Sequence, residues 1–428
     1  MSDRLVRLEQ YRDLRSTIRG SDSVLVIGVD VAKDKHYAFF GTANGRTLWK
    51  KLIFDNSIQG FNRLLSLAQD LSIQNRLDTR VFGLEPTASY HKPLAEHLIK
   101  SGEQVVYVSN VAAKNNRALL DGRWDKNDTK DAANIADLVG QGRCQFYDLA
   151  EEGLRELRSL LAYRAKLKKQ EHALRMRIRN TLLAQYFPEL DKQMPQGGQD
   201  DLILDIIAQD FAPARIAAMP FEAFRQQYQM AKRHLIQEQR LRTIWEISQS
   251  SVGCALPASA TWEGRMLVEQ LRQFRQIKRE LEKQLKEVGQ TFPAYAYLLS
   301  IPGFGPIVST MTLAAIGDAH RYTSRKQVLR LAGLDLSASR SGKTSSSAIP
   351  VISKQGKAGL RYALVQAAQI ASYKDEAIRS YFTGLLKGRE HERGIKLKMR
   401  VKLAAKMLVV AWTLMKRNET FDSDYFRT

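Results

Sequence analysis

Cysteine is nearly absent from this 428-residue chain: only Cys144 and Cys254 occur, far apart and without a CxxC pair. That excludes a disulfide scaffold and a thiolate zinc site, and it suits a reducing cytoplasm. Long apolar runs are missing too. No stretch reaches the roughly 18 residues of a membrane-spanning helix, and residues 1–20 are charged throughout, unlike a secretory signal. Acidic residues are outnumbered, 45 against 66 Lys and Arg, leaving a formal charge of +21 and a pI near 9.9. Such a surplus implies a polyanionic partner, because Lys and Arg displace condensed counterions from a phosphate backbone. The length predicts about two to three domains.

Among the scarcer acids, four form a pattern: Asp30, Glu85, Asp128 and Asp131. Asp30 ends the apolar run Val24–Val29, and Glu85 ends Arg80–Leu84. Asp128 and Asp131 open a helical stretch three residues apart, and positions i and i+3 share a helix face. Two strand ends and one helix face can thus gather four carboxylates around hard cations such as Mg²⁺. Two such ions roughly 3.5–4 Å apart clamp the attacking and leaving oxygens of a phosphodiester, which makes the chain a candidate phosphoryl-transfer enzyme. Each acid also has a plainer reading as a turn, cap or helix-dipole residue. Asp34, Asp121 and Asp125 are read that way, and His36 and His91 as surface or satisfied polar residues rather than ligands.

The spacing predicts a polar helix over residues 3–19 and strands at Val24–Val29, His36–Thr42 and Thr47–Phe54, with Asn44-Gly45 as a turn. A helix at Ile58–Leu71, a strand at Arg80–Leu84, a helix near Tyr90–Ser101, a strand at Gln104–Val108 and a helix from about Lys126 to Gly140 follow. Three strands, then helix, strand, helix, strand and helix, is the order of a ribonuclease H-like α/β domain. In that fold the first strand lies centrally, with its acid beside the end of the fourth.

The middle of the chain is basic and helical. Apolar stripes run from Leu154 to Leu182 and from Leu267 to Val288, and they pair antiparallel within one chain or as a coiled coil between protomers. Residues 200–250 read as helical and polar, without a motif. Further on, Ile301-Pro302-Gly303-Phe304-Gly305-Pro306 precedes an apolar helical run, and Gly303 and Gly305 let backbone amides approach a phosphate, as in a helix-hairpin-helix element. The segment Ser337-Ala338-Ser339-Arg340-Ser341-Gly342-Lys343-Thr344 is a linker by composition. A serine flanked by Arg340 and Lys343 is also able to attack a phosphodiester, the cations offsetting the charge that develops. Lys354 and Arg361 add cations beyond it. The tail from Lys387 to Arg417 reads as an amphipathic helix held against nucleic acid or a partner.

The motifs Gly28-Val29-Asp30-Val31-Ala32-Lys33, Glu85-Pro86-Thr87-Ala88-Ser89-Tyr90 and Lys126-Asn127-Asp128-Thr129-Lys130-Asp131-Ala132 occur in that order. So do Ile301–Pro306, Leu331-Ala332-Gly333-Leu334, Ser341-Gly342-Lys343 and Ile352-Ser353-Lys354-Gln355-Gly356. Together they resemble the insertion-sequence 110 family of DEDD transposases, in its 1111-type subgroup, over residues 20–150 and 293–370. The resemblance implies a RuvC-like domain at 1–150 whose Asp30, Glu85, Asp128 and Asp131 bind Mg²⁺. It implies a helical coiled-coil part with an insertion at 151–292, and at 293–428 a mostly α transposase domain supplying the serine nucleophile. The family's Ser-Gly falls on Ser341, with Ser339 as the neighbouring alternative. The implied nucleic-acid contacts are Lys126, Gly303, Gly305, Arg340, Lys343, Lys354 and Arg361. The implied partners are donor and target DNA, a bridge (guide) RNA and further copies of the chain, as dimer or tetramer, at the bacterial nucleoid and without a membrane. A RuvC-type nuclease hydrolysing junctions with metal-activated water, and a non-catalytic nucleic-acid binding protein, are the competing readings.

Overall fold

Alternation along the first strand sets the architecture of the N-terminal part. In the computed structural model, which describes residues 7–120, 128–147, 149–194, 201–228, 234–337 and 351–426, β1 spans Val24–Asp30. Leu25, Ile27 and Val29 enter one core, while Val24 and Val26 enter a second core on the other face. Successive strand residues point to opposite faces, so a run apolar on both sides marks a strand covered on both. The sheet continues with β2 (Lys35–Thr42), β3 (Thr47–Asp55), β4 (Thr79–Leu84), β5 (Gln104–Tyr107) and β6 (Gln145–Phe146), in the order β3-β2-β1-β4-β5-β6. β1 is antiparallel to β2 and parallel to β4. β1 is therefore central, and its parallel neighbour arrives through a helical crossover, α2 (Ile58–Asn75).

Helices cover both faces. Phe61, Leu64 and Ala68 of α2 and Leu94 and Leu98 of α3 (His91–Lys100) fill the core with Leu25, Ile27 and Phe82. On the other face α1 (Arg7–Ile18), α4 (Asn110–Leu120) and α5 (Asp128–Gly140) lie over Val24, Val26, Val81 and Val106. Leu14 and Ile18 anchor α1 there, each stabilising by about 1.5–3 kcal/mol when fully buried. Ser57 caps α2 by accepting from the Gly60 N–H at 3.2 Å. The sequence pattern did not reveal α4 or the two-residue β6.

The chain divides into two compact units, residues 1–151 with 320–324, and residues 152–319 with 325–428. The second is mostly helical. Its α6 (Glu152–Arg177) packs on the helix Ala258–Gln290. Arg164–Glu282 (2.8 Å), Lys278–Glu171 (2.9 Å) and Arg177–Glu263 (2.7 Å) bridge them. As the residue number rises on one helix it falls on the other, so this pair is antiparallel and within one chain. Residues 200–250 differ from the expectation of a polar stretch: Ile203, Ile206, Ile207, Phe211, Phe224, Leu241 and Ile244 form a buried cluster. The helix Asp201–Gln209 is apolar on most sides, and its interspersed acids obscured that. The tail is helical as expected, with its apolar side inside the unit. Ile395–Arg417 buries Leu403, Ala404, Met407, Leu408, Ala411 and Leu414 against this chain's own helices, while Lys396, Lys398 and Lys402 stay exposed. Among the described residues no helix is long and apolar enough to cross a membrane.

Candidate active site

Strand register brings the first two acids together. β1 and β4 run parallel with Val29 opposite Leu84, so Asp30 and Glu85 occupy the next step at neighbouring strand ends. Gly28 and Asp30 share a face by period-two alternation, as do Gly83 and Glu85. That face is the one covered by α5. A Cβ added at Gly28 would lie 2.1 Å from Ala132 O and 2.5 Å from Ala136 N; one at Gly83 would lie 2.5 Å from Val139 Cγ2. Glycine is required at residue 28 because helix backbone rests directly on strand backbone. Asp30 and Glu85 are both half-buried.

The same close approaches fix the direction of α5. Ala132 stands over Gly28, whereas a Cβ at Gly140 would meet Ala43 O at 2.9 Å. Ala43 donates its N–H to Val24 O at the start of β1 (3.1 Å). The helix thus runs antiparallel to β1, and its N-terminal turn, with Asp128 and Asp131, heads for the end that carries Asp30 and Glu85. Four helical residues advance about 6 Å and two strand residues about 6.7 Å, so Asp128 and Asp30 lie similar distances beyond the crossing point. The Asp128 side chain and Lys126 lie outside the described residues.

A buried polar network clamps α4 on α5. Asn134 Nδ2 donates to Ala113 O (2.7 Å), and Asn116 Nδ2 donates to Asn134 Oδ1 (2.9 Å) and Asp137 Oδ2 (2.8 Å). One turn along, Arg117 Nη2 lies 2.7 Å from Oδ1 of Asp131, which is only 3% exposed. The contact is an ion pair by distance, at an angle that makes no directed hydrogen bond, and Arg117 Nε has no hydrogen-bond partner. Asp131 is therefore turned toward Arg117.

His36 and His91 are both buried, which leaves, of the surface and satisfied-polar readings, the second. His36 Nδ1 accepts from the Ala32 N–H at 3.2 Å and its ring packs on Phe54 and Phe61, so it braces the loop after Asp30. Burial lowers its pKa from the usual 6.5, the Asn56 side chain acting in the opposite sense. Burial also lowers that of His91, opposed by the backbone at Thr87. Among the described residues no group of three or more His, Cys, Asp or Glu stands close enough to hold a metal ion. As a donor set, half-buried carboxylates at two adjacent strand ends fit an oxygen-seeking cation such as Mg²⁺; Asp131, facing Arg117, does not complete that set as it stands.

In the second unit, Gly303 has φ +85°, and a Cβ there would lie 2.4 Å from Ala367 O in the helix Ala358–Lys374. That turn is glycine for packing. Gly305 precedes the helix Pro306–Ile316 with open space around its Cα. Arg361 Nη1 donates to Ala332 O (2.7 Å) and Lys354 O (3.4 Å). The Lys354 N–H donates to Gly333 O (3.0 Å), and a Cβ on Gly356 would meet Gly333 N at 2.4 Å. This tight crossing anchors a two-strand stem, β7 (Leu336–Ser337) antiparallel to β8 (Val351–Ile352). Residues 338–350 connect the two strands; Ser339, Arg340, Ser341 and Lys343 among them lie outside the described residues.

Residues 27–188 match the family model for DEDD transposases of the IS110 type, and residues 295–383 match the transposase model of the IS116/IS110/IS902 family. The chain carries transposase domains of the IS110/IS116/IS902 family. This transposase is 22% identical over 409 residues to the 43.6 kDa protein of insertion element IS110 from Streptomyces coelicolor, covering 94% of this chain and 96% of that protein. It is likewise 22% identical over 411 residues to the 44.8 kDa protein of insertion element IS116 from Streptomyces clavuligerus, covering 92% and 95%. The family implies an enzyme that cleaves and rejoins DNA.

The first matched span contains all four acids of the transposase and the second contains Gly303, Gly305, Ser341, Lys354 and Arg361. Arg117, Asn116 and Asn134 were missed from sequence. Nothing local marks Arg117, since its partner is 14 residues away across a helix boundary.

Proposed function

We propose that the transposase cuts and rejoins donor and target DNA through a phosphoserine intermediate, guided by a bridge RNA of its own element, at the bacterial nucleoid. Its working parts are a RuvC-like acid-bearing domain at 1–150, a helical arm at 151–292 and a serine-bearing domain at 293–428. What supports this reading most is the run of α5 antiparallel to β1, which sends residues 128 and 131 toward the strand ends of Asp30 and Glu85.

Asp30, Glu85 and Asp128 would hold Mg²⁺, and Asp131 would join them on leaving Arg117. Bound there, the cation supplies positive charge that offsets charge building on the phosphodiester oxygens. Ser341 gives up its hydroxyl proton as Oγ attacks phosphorus, forming an Oγ–P bond while the P–O bond to the leaving strand breaks, and the departing oxygen takes up a proton in exchange. Rejoining reverses the step with the hydroxyl of a second strand. Arg340 and Lys343 stand beside the nucleophile in sequence and neutralise the equatorial oxygens. Lys126, Lys354, Arg361 and the turn at Gly303 and Gly305 contact nucleic acid. A homo-oligomer, dimer or tetramer, combines the acids of one protomer with the serine of another.

The test is recombination between donor and target plasmids with the element's flanking RNA and Mg²⁺, comparing wild type, Ser341→Ala and Asp30→Ala. Denaturation-resistant protein–DNA adducts in wild type that vanish in Ser341→Ala are expected. Free nicked ends with Ser341→Ala still active and Asp30→Ala dead would instead identify a RuvC-type hydrolytic nuclease. Omitting the RNA without effect would remove the guide from the scheme.

A further inference from the structure

The N-terminal unit holds a basic feature at the end of the sheet remote from Asp30. A cavity of about 680 Å³ is lined by Arg15, Arg19, Arg46 and Arg143, between α1, the turn from Thr42 to Arg46, and the C-terminal end of α5. The placement follows from packing. Leu14 and Ile18 pin α1 to the core, which leaves the next residues, Arg15 and Arg19, stacked one turn apart on the adjoining strip. Gly142, at φ +67°, makes room for the Arg15 stem, since a Cβ there would lie 2.6 Å from Arg15 Cγ. The turn that presents Arg46 is fixed by Thr42 N–H donating to Arg46 O (2.8 Å) and Arg46 N–H donating to Thr42 Oγ1 (3.0 Å).

All four guanidinium groups are exposed, and none forms an ion pair among the described residues. Arg46 reaches only the neutral Asn75 Oδ1, at 3.4 Å. The one acid lining the cavity is Asp137, whose Oδ2 accepts from Asn116 Nδ2 (2.8 Å) and Gln141 Nε2 (2.6 Å); set against the four arginines it leaves a positive surplus in the cleft. The C-terminal carbonyls of α5 amount to about half a negative charge, so the helix dipole accounts for one nearby cation and not for four. Unneutralised like charges gathered in one concavity repel, and a polyanion laid along them removes that cost.

We infer that this cleft grips the phosphate backbone of a nucleic acid strand, as a site separate from the strand-end acids. Forked guanidinium donors suit phosphate oxygens; of the other polar side chains lining the cleft, Gln141 is bonded to Asp137 and Asn44 accepts from the Thr42 hydroxyl, so the arginines dominate and the grip is independent of sequence. The inference rests on the enzyme's being a nucleic-acid recombinase. RNA and DNA share the chemistry recognised, and the experiment distinguishes them.

Binding of the full-length protein to a random-sequence DNA duplex and to a single-stranded RNA is measured by anisotropy as a function of salt. Wild type, Arg15→Ala/Arg19→Ala, Arg46→Ala/Arg143→Ala and a charge-matched control, Arg63→Ala/Lys100→Ala, are compared. Each cleft pair is expected to lower the slope of log K against log salt by about 1.8 on duplex DNA or about 1.4 on a single strand. The probe that shows the drop is the strand held there, and the control leaves the slope unchanged. Equal slopes in wild type and both cleft variants, with wild type binding normally, would overturn the cleft alone. Failure of wild type to bind either probe would overturn the nucleic-acid reading with it. Because the four side chains are exposed, unchanged melting curves verify that the variants remain folded.

Discussion

Gly28→Ala tests the junction on which the candidate active site depends. The added Cβ would sit 2.1 Å from Ala132 O and 2.5 Å from Ala136 N, where ordinary contact begins near 3.4 Å. Both obstacles are backbone, so no side chain can rotate away, and α5 must lift from β1 by more than an ångström. Overpacking costs about 1–3 kcal/mol, and two rigid surfaces place this case at or above the upper figure. A radial gap of about 1 Å also forfeits up to half the dispersion energy of the affected contacts. A loss of about 3 kcal/mol leaves a domain of ordinary stability folded, so its chemistry can still be measured. That displacement moves Asp128 and Asp131 relative to Asp30, and a misplacement of about 1 Å costs roughly 10²-fold in rate. Urea denaturation and single-turnover strand cleavage should therefore both fall. Gly83→Ala is the comparison: its obstacles are side-chain methyls of Val139 and Ile135 rather than helix backbone, and the expected loss is about 1–3 kcal/mol with a smaller effect on rate. If Gly28→Ala unfolds at the wild-type urea concentration and cleaves at the wild-type rate, α5 does not rest on β1 in the way described.

Arg117→Ala should destabilise the protein by about 2–4 kcal/mol, because Asp131 is left buried without its cation. Arg117→Ala/Asp131→Asn should recover most of that loss in urea melts, and additive losses would mean the pair contributes nothing. His36 is held neutral by burial, so the stability it lends is complete above its ordinary 6.5 and declines as pH falls below that toward its lowered folded value. Denaturation between about pH 7.5 and 5.5 should show a flatter pH dependence in His36→Asn, whose Oδ1 can replace Nδ1 as acceptor for Ala32; an unchanged slope would place the titration elsewhere. Gly303→Ala combines a positive φ with a clash at Ala367 O and should cost about 3 kcal/mol or more, whereas Gly305→Ala, in open space, should stay within about 0.5 kcal/mol. Equal denaturation midpoints for the two variants would refute the assignment of Gly303 to packing.

The strand-end acids were legible because each closes an apolar run, and period-two alternation then fixes its face. The direction in which α5 crosses the sheet was not legible. Helical periodicity identifies a buried face, while the close approaches at Gly28 and Gly140 that orient the helix exist only after folding. Residues 145–146 form too short a strand to leave a pattern, and α4 closes against α5 through asparagines, which read as surface residues. The burial of His36 depends on Phe54 and Phe61, which reach it from a neighbouring strand and a helix on one face of the sheet. In the region 200–250, acids and arginines averaged out the apolar character of Ile203, Ile206 and Ile207. In the tail the helix was legible and the depth of its burial was not. Lys396, Lys398, Arg400 and Lys402 crowd the first half of its helix, and the residues that bury follow mainly in the second half.

Because Ile395–Arg417 closes the interior of the second unit, the ribosome must translate almost all of the chain before that unit can fold. The first unit has its last strand by Phe146. At about 5–20 residues per second the interval between the two is on the order of tens of seconds, during which a completed N-terminal sheet waits on an unfinished second unit. Premature termination or a stalled ribosome before residue 400 would release a chain that has the acids but no interior for the unit carrying Ser341. Synthesis itself thereby acts as a timer on the appearance of an enzyme able to break DNA.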